Sequence, residues 1–321
     1  MICLRSLPDR LQPAGGALSS IARCSFCRAV FTVVERPGPA YPRDYEPFLP
    51  VEHRSRPHPT RDRIRRVFLQ GKGNLLERAL LFIPSVIFRA RDRFKLRNRR
   101  LYLEAFRRGG RILDVGCGRG GHLKEWMQFH REGIGVEPQE SVALTARRET
   151  GLDIRPGTLE DQIFPAEHFD SIAFCHVLEH VPDPRSTLRE ACRVLKPGGE
   201  IVLWLPNFDS LLRPLFGRDW MPYDVPRHLW HFTPWRLALL LRECGFRPVE
   251  IAFIPDEYSF RRSVRLLRES GHTLSSRILK HRWIRMILLI ASALLRATDV
   301  MRVRARKERG SVPSPHRRLA L

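Results

Sequence analysis

Lysine is nearly missing from this chain. Only six of the 56 Lys+Arg residues are lysine, so the formal net charge of +22 is carried almost wholly by arginine. So one-sided a usage reads first as a compositional bias, which weakens charge alone as a sign of nucleic-acid binding. Long apolar runs are also missing. The longest near the end, Met286–Leu295, sits between Arg285 and Arg296 and is too short to span a bilayer. The first residues lack the apolar core of a secretory signal. The seven cysteines form no regular framework, which argues against a disulfide-stapled secreted scaffold and for reduced thiols in a cytoplasmic protein. Absent too are a Gly-Lys-Ser/Thr phosphate loop, an Asn-Pro-Pro-Tyr-like base-flipping signature, a recognisable RNA-binding module and any internal repeat.

A chain of 321 residues is long enough for one substantial domain with appendages. Charge marks where that domain lies. Residues 1–110 carry 23 basic against 9 acidic side chains, residues 111–260 carry 17 against 22, and residues 261–321 carry 16 against 3. A mildly acidic centre thus lies between two basic arms. Such arms suit solvated surface or weak contact with an anionic membrane, and nucleic acid is the less favoured partner.

Within the centre, Arg111–Gly121 reads RILDVGCGRGG. An apolar strand ends in Asp114, and Gly116, Gly118 and Gly120 follow at alternate positions. Glycine tolerates positive φ and lets a ligand lie against bare main chain. An acid just ahead of the glycines repels a phosphate but suits an ammonium. The pattern therefore points to a nucleoside that carries an amino acid and no phosphate, which is the make-up of S-adenosylmethionine.

Strand and helix patterns alternate through this region. RILDV, GIGVE, LDIRPG, HFDSIAFCHV, EIVLWLP and FRPVEIAFIP read as strands, with HLKEWMQF, SVALTARRE, RSTLREACRVL and PWRLALLLREC as helices. Strands joined through helices imply right-handed crossovers and a largely parallel sheet covered on both faces. Such a sheet binds ligands beyond the carboxyl ends of its strands, where the Gly116 turn lies. The insertion 206–232 carries Trp220, Tyr223, Asp224, His228 and His231. It reads either as a loop facing substrate or as a lid that packs its aromatics on the domain.

In this order, the motifs resemble those of the class I S-adenosylmethionine-dependent methyltransferases. LDVGCGRG resembles the family's first motif, and GVEPQ places Glu137 at the end of the second strand. FDSIAFCHVLEHVPDP, LREACRVLKPGGEIVLWLPN and HLWHFTPWRLALLLRECGF resemble its later blocks, and VLEHVPDP with LKPGG is particularly close to the ubiquinone-biosynthesis O-methyltransferases. The resemblance covers roughly Arg111–Ile254. It implies an α/β fold with a seven-stranded, doubly wound, mostly parallel Rossmann-like sheet and helical or irregular extensions at both ends. It further implies S-adenosylmethionine as cofactor and methyl transfer, at oxygen, to a small-molecule or lipid-linked acceptor. Methylation of RNA or protein, and cofactor binding without catalysis, are the alternatives.

The same resemblance assigns residues. Gly116, Gly118 and Gly120 would shape the loop under the amino-acid part of the cofactor, and Asp114 would contact that part. Glu137 would take both ribose hydroxyls, since a carboxylate accepts what two hydroxyls donate. Thr158 stands where the family usually has an acid for the adenine amine, with Leu159 offering its backbone N–H and Glu160 or Asp161 in reach to compensate. His176, after the fourth strand of the sheet motif, would line the pocket as a cofactor contact, as a base, or as a structural residue. His228 and His231 are the other candidate bases, with Asp224 and Tyr223 to orient them. Alternatively they are a packed pair ahead of a helix that Thr233 caps and Pro234 begins. Glu179 and His180 would organise a helix start. His180 has no spaced partner cluster in the sequence, so no metal site is expected.

The organisation expected is an irregular basic arm over 1–73, a helical lead-in over 74–110, the methyltransferase domain over 111–260 and a basic tail over 261–321. Cys24 and Cys27 resemble the second half of a zinc ribbon found in relatives. The first half is missing and Cys3 stands alone, so the ribbon is read as degenerate. Trp283–Leu295 is apolar and bordered by Arg277, Lys280, Arg282 and Arg296. It suits either a helix in a membrane interface, giving the protein a peripheral attachment, or a helix docked on the domain.

Overall fold

The computed structural model of the chain describes residues 4–11, 19–24, 29–34 and 109–308. Most of the expected helical lead-in, together with Cys3 and Cys27, lies outside these residues.

Five strands run parallel in the spatial order β6 (Asp153–Pro156), β5 (Glu132–Glu137), β4 (Arg111–Val115), β7 (Phe169–Cys175) and β8 (Leu195–Pro206). Beyond β8 lies β11 (Val300–Lys307), antiparallel to it and to the edge strand β10 (Phe246–Ile254). The result is the seven-stranded, mostly parallel sheet expected. Its central strands are buried on both faces, with Ile112, Leu113, Ile172, Phe174, Val202 and Leu203 fully enclosed, which is why they read as unbroken apolar runs. The chain leaves β4 toward one edge and returns through β7 on the other side. That reversal opens a crevice at the carboxyl ends of β4 and β7.

Local signals set the crossover helices. These are α1 (Gly121–Trp126), α2 (Glu140–Thr150), α3 (Pro184–Val194) and α5 (Pro234–Glu243). The Asp183 carboxylate accepts from the Arg185 and Ser186 N–H groups ahead of α3. Thr233 accepts from the Arg236 N–H with Pro234 at the first position of α5, as its sequence announces.

Strand β11 lies past residue 260, inside the segment read from sequence as a basic tail. Its arginines disguised it. Arg302 and Arg304 meet Glu250, and Arg306 meets Glu200, on the two flanking strands. These cations balance neighbouring acids in the sheet and are not free charge on an appendage. The arm is likewise not irregular where it is described. Strands β1 (Leu4–Leu11), β2 (Ser19–Cys24) and β3 (Val30–Val34) form an antiparallel meander, and β3 pairs with the two-residue β9 (Trp230–His231) of the insertion.

The insertion itself is a lid. It folds into α4 (Arg213–Phe216) and two 3₁₀ turns, Gly217–Asp219 and Met221–Tyr223. Its Phe208, Phe216, Trp220 and Tyr223 build a second apolar core with Ile21 and Val30 of the arm and Phe260 and Leu267 of α6 (Glu257–Glu269). Two further helices, α7 (Thr273–Leu279) and α8 (Arg282–Leu294), complete the described tail.

Candidate active site

The glycine turn after β4 has the conformation its sequence requires. Gly116, Gly118 and Gly120 have φ of 67, 53 and 74°, values that L-residues rarely adopt. At Gly116 a Cβ would lie 2.4 Å from the Val177 side chain, so the turn presses against the segment after β7. At Gly118 a Cβ would meet no atom within 4 Å. The turn is therefore tight against protein on one side and open on the other. Both Gly116 and Cys117 N–H groups donate to the Val136 carbonyl, at 2.8 and 3.0 Å, which pins the turn to β5.

Two carboxylates face this turn in different states. Asp114 is 1 % exposed, and neither carboxylate oxygen has a hydrogen-bond partner among the described residues. Burial first, and the charge of Glu137 second, hold its pKa well above the usual carboxylate range. A buried acid without a donor is costly unless something brings one, and an ammonium group does so. Glu137, at the end of β5, is held by two backbone donors. Its Oε2 accepts from the Gly118 N–H and its Oε1 from the Gln139 N–H, both at 3.0 Å. Burial raises its pKa against the pull of these two amides. Each oxygen keeps a further lone pair for a ligand hydroxyl. These two acceptors are groups that could hold the ammonium and the ribose hydroxyls of S-adenosylmethionine.

At the next strand end the acids are already committed. The Thr158 N–H and hydroxyl both donate to Asp161 Oδ2, at 2.8 and 2.7 Å, and lower the Asp161 pKa. Glu160 accepts from the Thr187 hydroxyl at 2.6 Å, which ties it to α3. Leu159 is buried in the main core.

The candidate bases separate by environment. His176 follows β7 with φ 56° and keeps 53 % of its side chain exposed. Its Nδ1 lies 3.3 Å from Glu179 Oε1. A carboxylate only accepts, so Nδ1 carries the proton and Nε2 is left as the acceptor. Desolvation opposes charge on the ring, but the Glu179 carboxylate outweighs it and raises the His176 pKa. The same pair holds buried Glu179 down to about 2 against its own desolvation.

His228 and His231 are packed instead. His228 donates through Nδ1 to the Pro222 carbonyl at 2.8 Å, and its Nε2 is 3.8 Å from Asp224. Asp224 is also paired with Arg227. His231 lies 3.0 Å from the Thr32 hydroxyl through Nε2, with Tyr223 edge-on to its ring. Burial, reinforced by His228, pushes the His231 pKa down to about 3. His180 donates through Nδ1 to the Arg227 carbonyl at 3.0 Å and stacks edge-on with His228. The sequence shows no spaced cluster of metal-ligand residues with His180. The fold places ligand-type atoms of Glu179, His180 and His228 within 4.8 Å of one another, since the lid returns 48 residues later over the β7 exit. Thr32 and Asp299, which anchor this lid, carry no sequence signal beyond a β-branched run and an isolated acid.

The methyltransferase domain family model matches residues 87–251, half of the chain. The chain belongs to the class I S-adenosylmethionine-dependent methyltransferases. Within that class it is related to the ubiquinone-biosynthesis O-methyltransferase group. It is 34% identical to the ubiquinone biosynthesis O-methyltransferase of Cereibacter sphaeroides, over 53% of this chain and 74% of that relative. The protein of the same description from Marinobacter nauticus is 35% identical over 44% of this chain and 66% of its own length. Among solved structures, an S-adenosylmethionine-dependent methyltransferase from Archaeoglobus fulgidus aligns with a TM-score of 0.47 at 24% identity, covering 68% of this chain and 94% of that one. No helix among the described residues is long and apolar enough to cross a membrane.

Proposed function

We propose that this protein transfers a methyl group from S-adenosylmethionine to a hydroxyl on a small-molecule or lipid-linked acceptor. The observation that carries the reading is the buried, donor-less Asp114 beside the backbone-held Glu137 on an open glycine turn. The relatives named O-methyltransferases supply the reason to expect oxygen as the acceptor atom. When bound, S-adenosylmethionine supplies a methyl group on a sulfonium, whose leaving group is already activated. The chain must then align the acceptor and accept a proton. His176 suits the second task. It stands beside the glycine turn through its neighbour Val177, its side chain is exposed, and Glu179 accepts from its Nδ1 N–H, which leaves Nε2 to act as the base.

The test is calorimetry with S-adenosylmethionine, followed by transfer of labelled methyl to a panel of hydroxyl compounds and their methyl ethers. Glu137→Ala should weaken cofactor binding by about tenfold or more, the cost of leaving ligand hydroxyls unpaired. Equal affinity for parent and variant removes the cofactor assignment. Methylation of the ethers as well as the hydroxyls removes oxygen as the acceptor atom.

A further inference from the structure

Helix α8 is apolar on two sides, and among the described residues only one of them is covered. Ile284, Leu288 and Leu289 pack on the second core, against the same cluster as Trp220 and Tyr223 of the lid. Trp283, Ile287, Ile290 and Leu294 are exposed, Ile287 at 65% and Leu294 at 79%. Their spacing of four, three and four residues places them in one stripe along the helix. The adjoining α7 adds Leu274 and Ile278, also exposed and four residues apart. So many large apolar side chains on one short segment exceed the scattered exposure normal for a soluble surface.

Charge says what covers the stripe. No acid occurs between Glu269 and Asp299, and Asp299 is buried. Arg277, Lys280 and Arg296 are exposed along the same segment. Arg285 is turned inward to Glu257, at 3.2 Å. A second copy docked through a two-fold would bring these cations face to face, which costs energy. A surface of negative charge over an apolar interior matches both features, with Trp283 at the level where indole rings favour the boundary. We propose that α7 and α8 dock this protein on the surface of an anionic lipid bilayer, with α8 lying in the plane of the interface. Because the inner face of α8 supports the lid, docking would set the lid beside the lipid phase, from which an apolar acceptor enters. Docking needs only the helix face, so vesicle binding and cofactor binding fail separately.

The experiment is flotation of the full chain with extruded vesicles of phosphatidylcholine alone, or with about one-third phosphatidylglycerol. The protein should float with the anionic vesicles only, and less so as salt is raised. Ile287→Glu/Leu294→Glu should reduce flotation at least about tenfold while S-adenosylmethionine binding, read by calorimetry, stays as in the parent. Arg277→Glu/Lys280→Glu, which leaves the apolar stripe intact, should reduce it about as much. Three results overturn the proposal. One is a parent that ignores anionic vesicles, and another is a stripe variant that floats like the parent. The third is a parent that sediments as a dimer and becomes monomeric in the stripe variant, which would give the face to a second copy.

Discussion

The Thr32 hydroxyl donates to the His228 backbone carbonyl at 2.6 Å, joining residues 196 positions apart. The same oxygen sits 3.0 Å from His231 Nε2, and since its own proton is used it accepts there. One side chain of the N-terminal meander thus fixes the lid at two points. Thr32→Val keeps the β-branched shape and leaves a buried carbonyl and imidazole N–H unpaired. A loss of about 1–3 kcal/mol in stability is expected, with Thr32→Ser close to the parent. Urea denaturation reads both, and coincident midpoints for Val and parent would show that the contact holds nothing.

The lid should also loosen in acid. Burial, then the charge of His228, holds His180 down to about 4, and His231 lies at about 3. Both folded values are below the ordinary 6.5, so the unfolded chain takes up these protons first. Stability is full above 6.5 and falls as the pH drops toward 4, at up to about 1.4 kcal/mol per unit for each group. Asp299 works in the opposite sense. Burial raises its pKa to about 6 although Ser210 and Trp220 donate to it, so its contribution is full below 3.8 and is lost as the pH rises through 6. Melting temperatures from pH 6.5 to 4 should decline less in His231→Gln than in the parent, and more in Asp299→Asn. Parallel profiles in all three would refute the assignment.

At the glycine turn, steric and electrostatic changes should separate. Gly116→Ala sets a methyl 2.4 Å from Val177 and asks for φ of 67° from an L-residue. It should cost about 1–2 kcal/mol of stability and abolish tight cofactor binding. Asp114→Asn removes a buried acid that has no donor. It should melt no lower than the parent while binding S-adenosylmethionine at least about tenfold more weakly. Calorimetry beside thermal melts checks the pair, and an Asn variant with parental affinity would remove Asp114 from the site.

His176 as base makes a rate prediction with a pH signature. His176→Gln should lower kcat by about 10²–10⁴-fold with little change in cofactor affinity. In the parent, kcat/KM should rise with pH through an ionisation above 6.5, because Glu179 raises the His176 pKa. Glu179→Gln should move that ionisation downward. A parent profile that is flat from pH 6 to 9 would leave His176 a lining residue.

The glycine turn of the candidate site was legible in the sequence because its parts are local. A strand, an acid and three alternate glycines span ten residues, and positive φ at a strand-to-helix turn is a demand that short-range sequence can state. Glu137 follows from strand order, and the start of α5 from Thr233 and Pro234. What the sequence left open depends on contacts between segments far apart. The burial of His228 and His231 depends on such contacts: Pro222 takes one ring nitrogen of His228, and Thr32 one of His231. The basic tail became a sheet strand because Glu200 and Glu250 lie opposite its arginines, and no count along the chain reveals such a pairing. The sequence by itself determined the sheet and the glycine turn, since each rests on backbone geometry and periodicity that neighbouring residues encode. Tertiary structure alone decided which histidine stays open and which face of α8 the described residues leave uncovered, because burial is set by what distant segments bring to a surface.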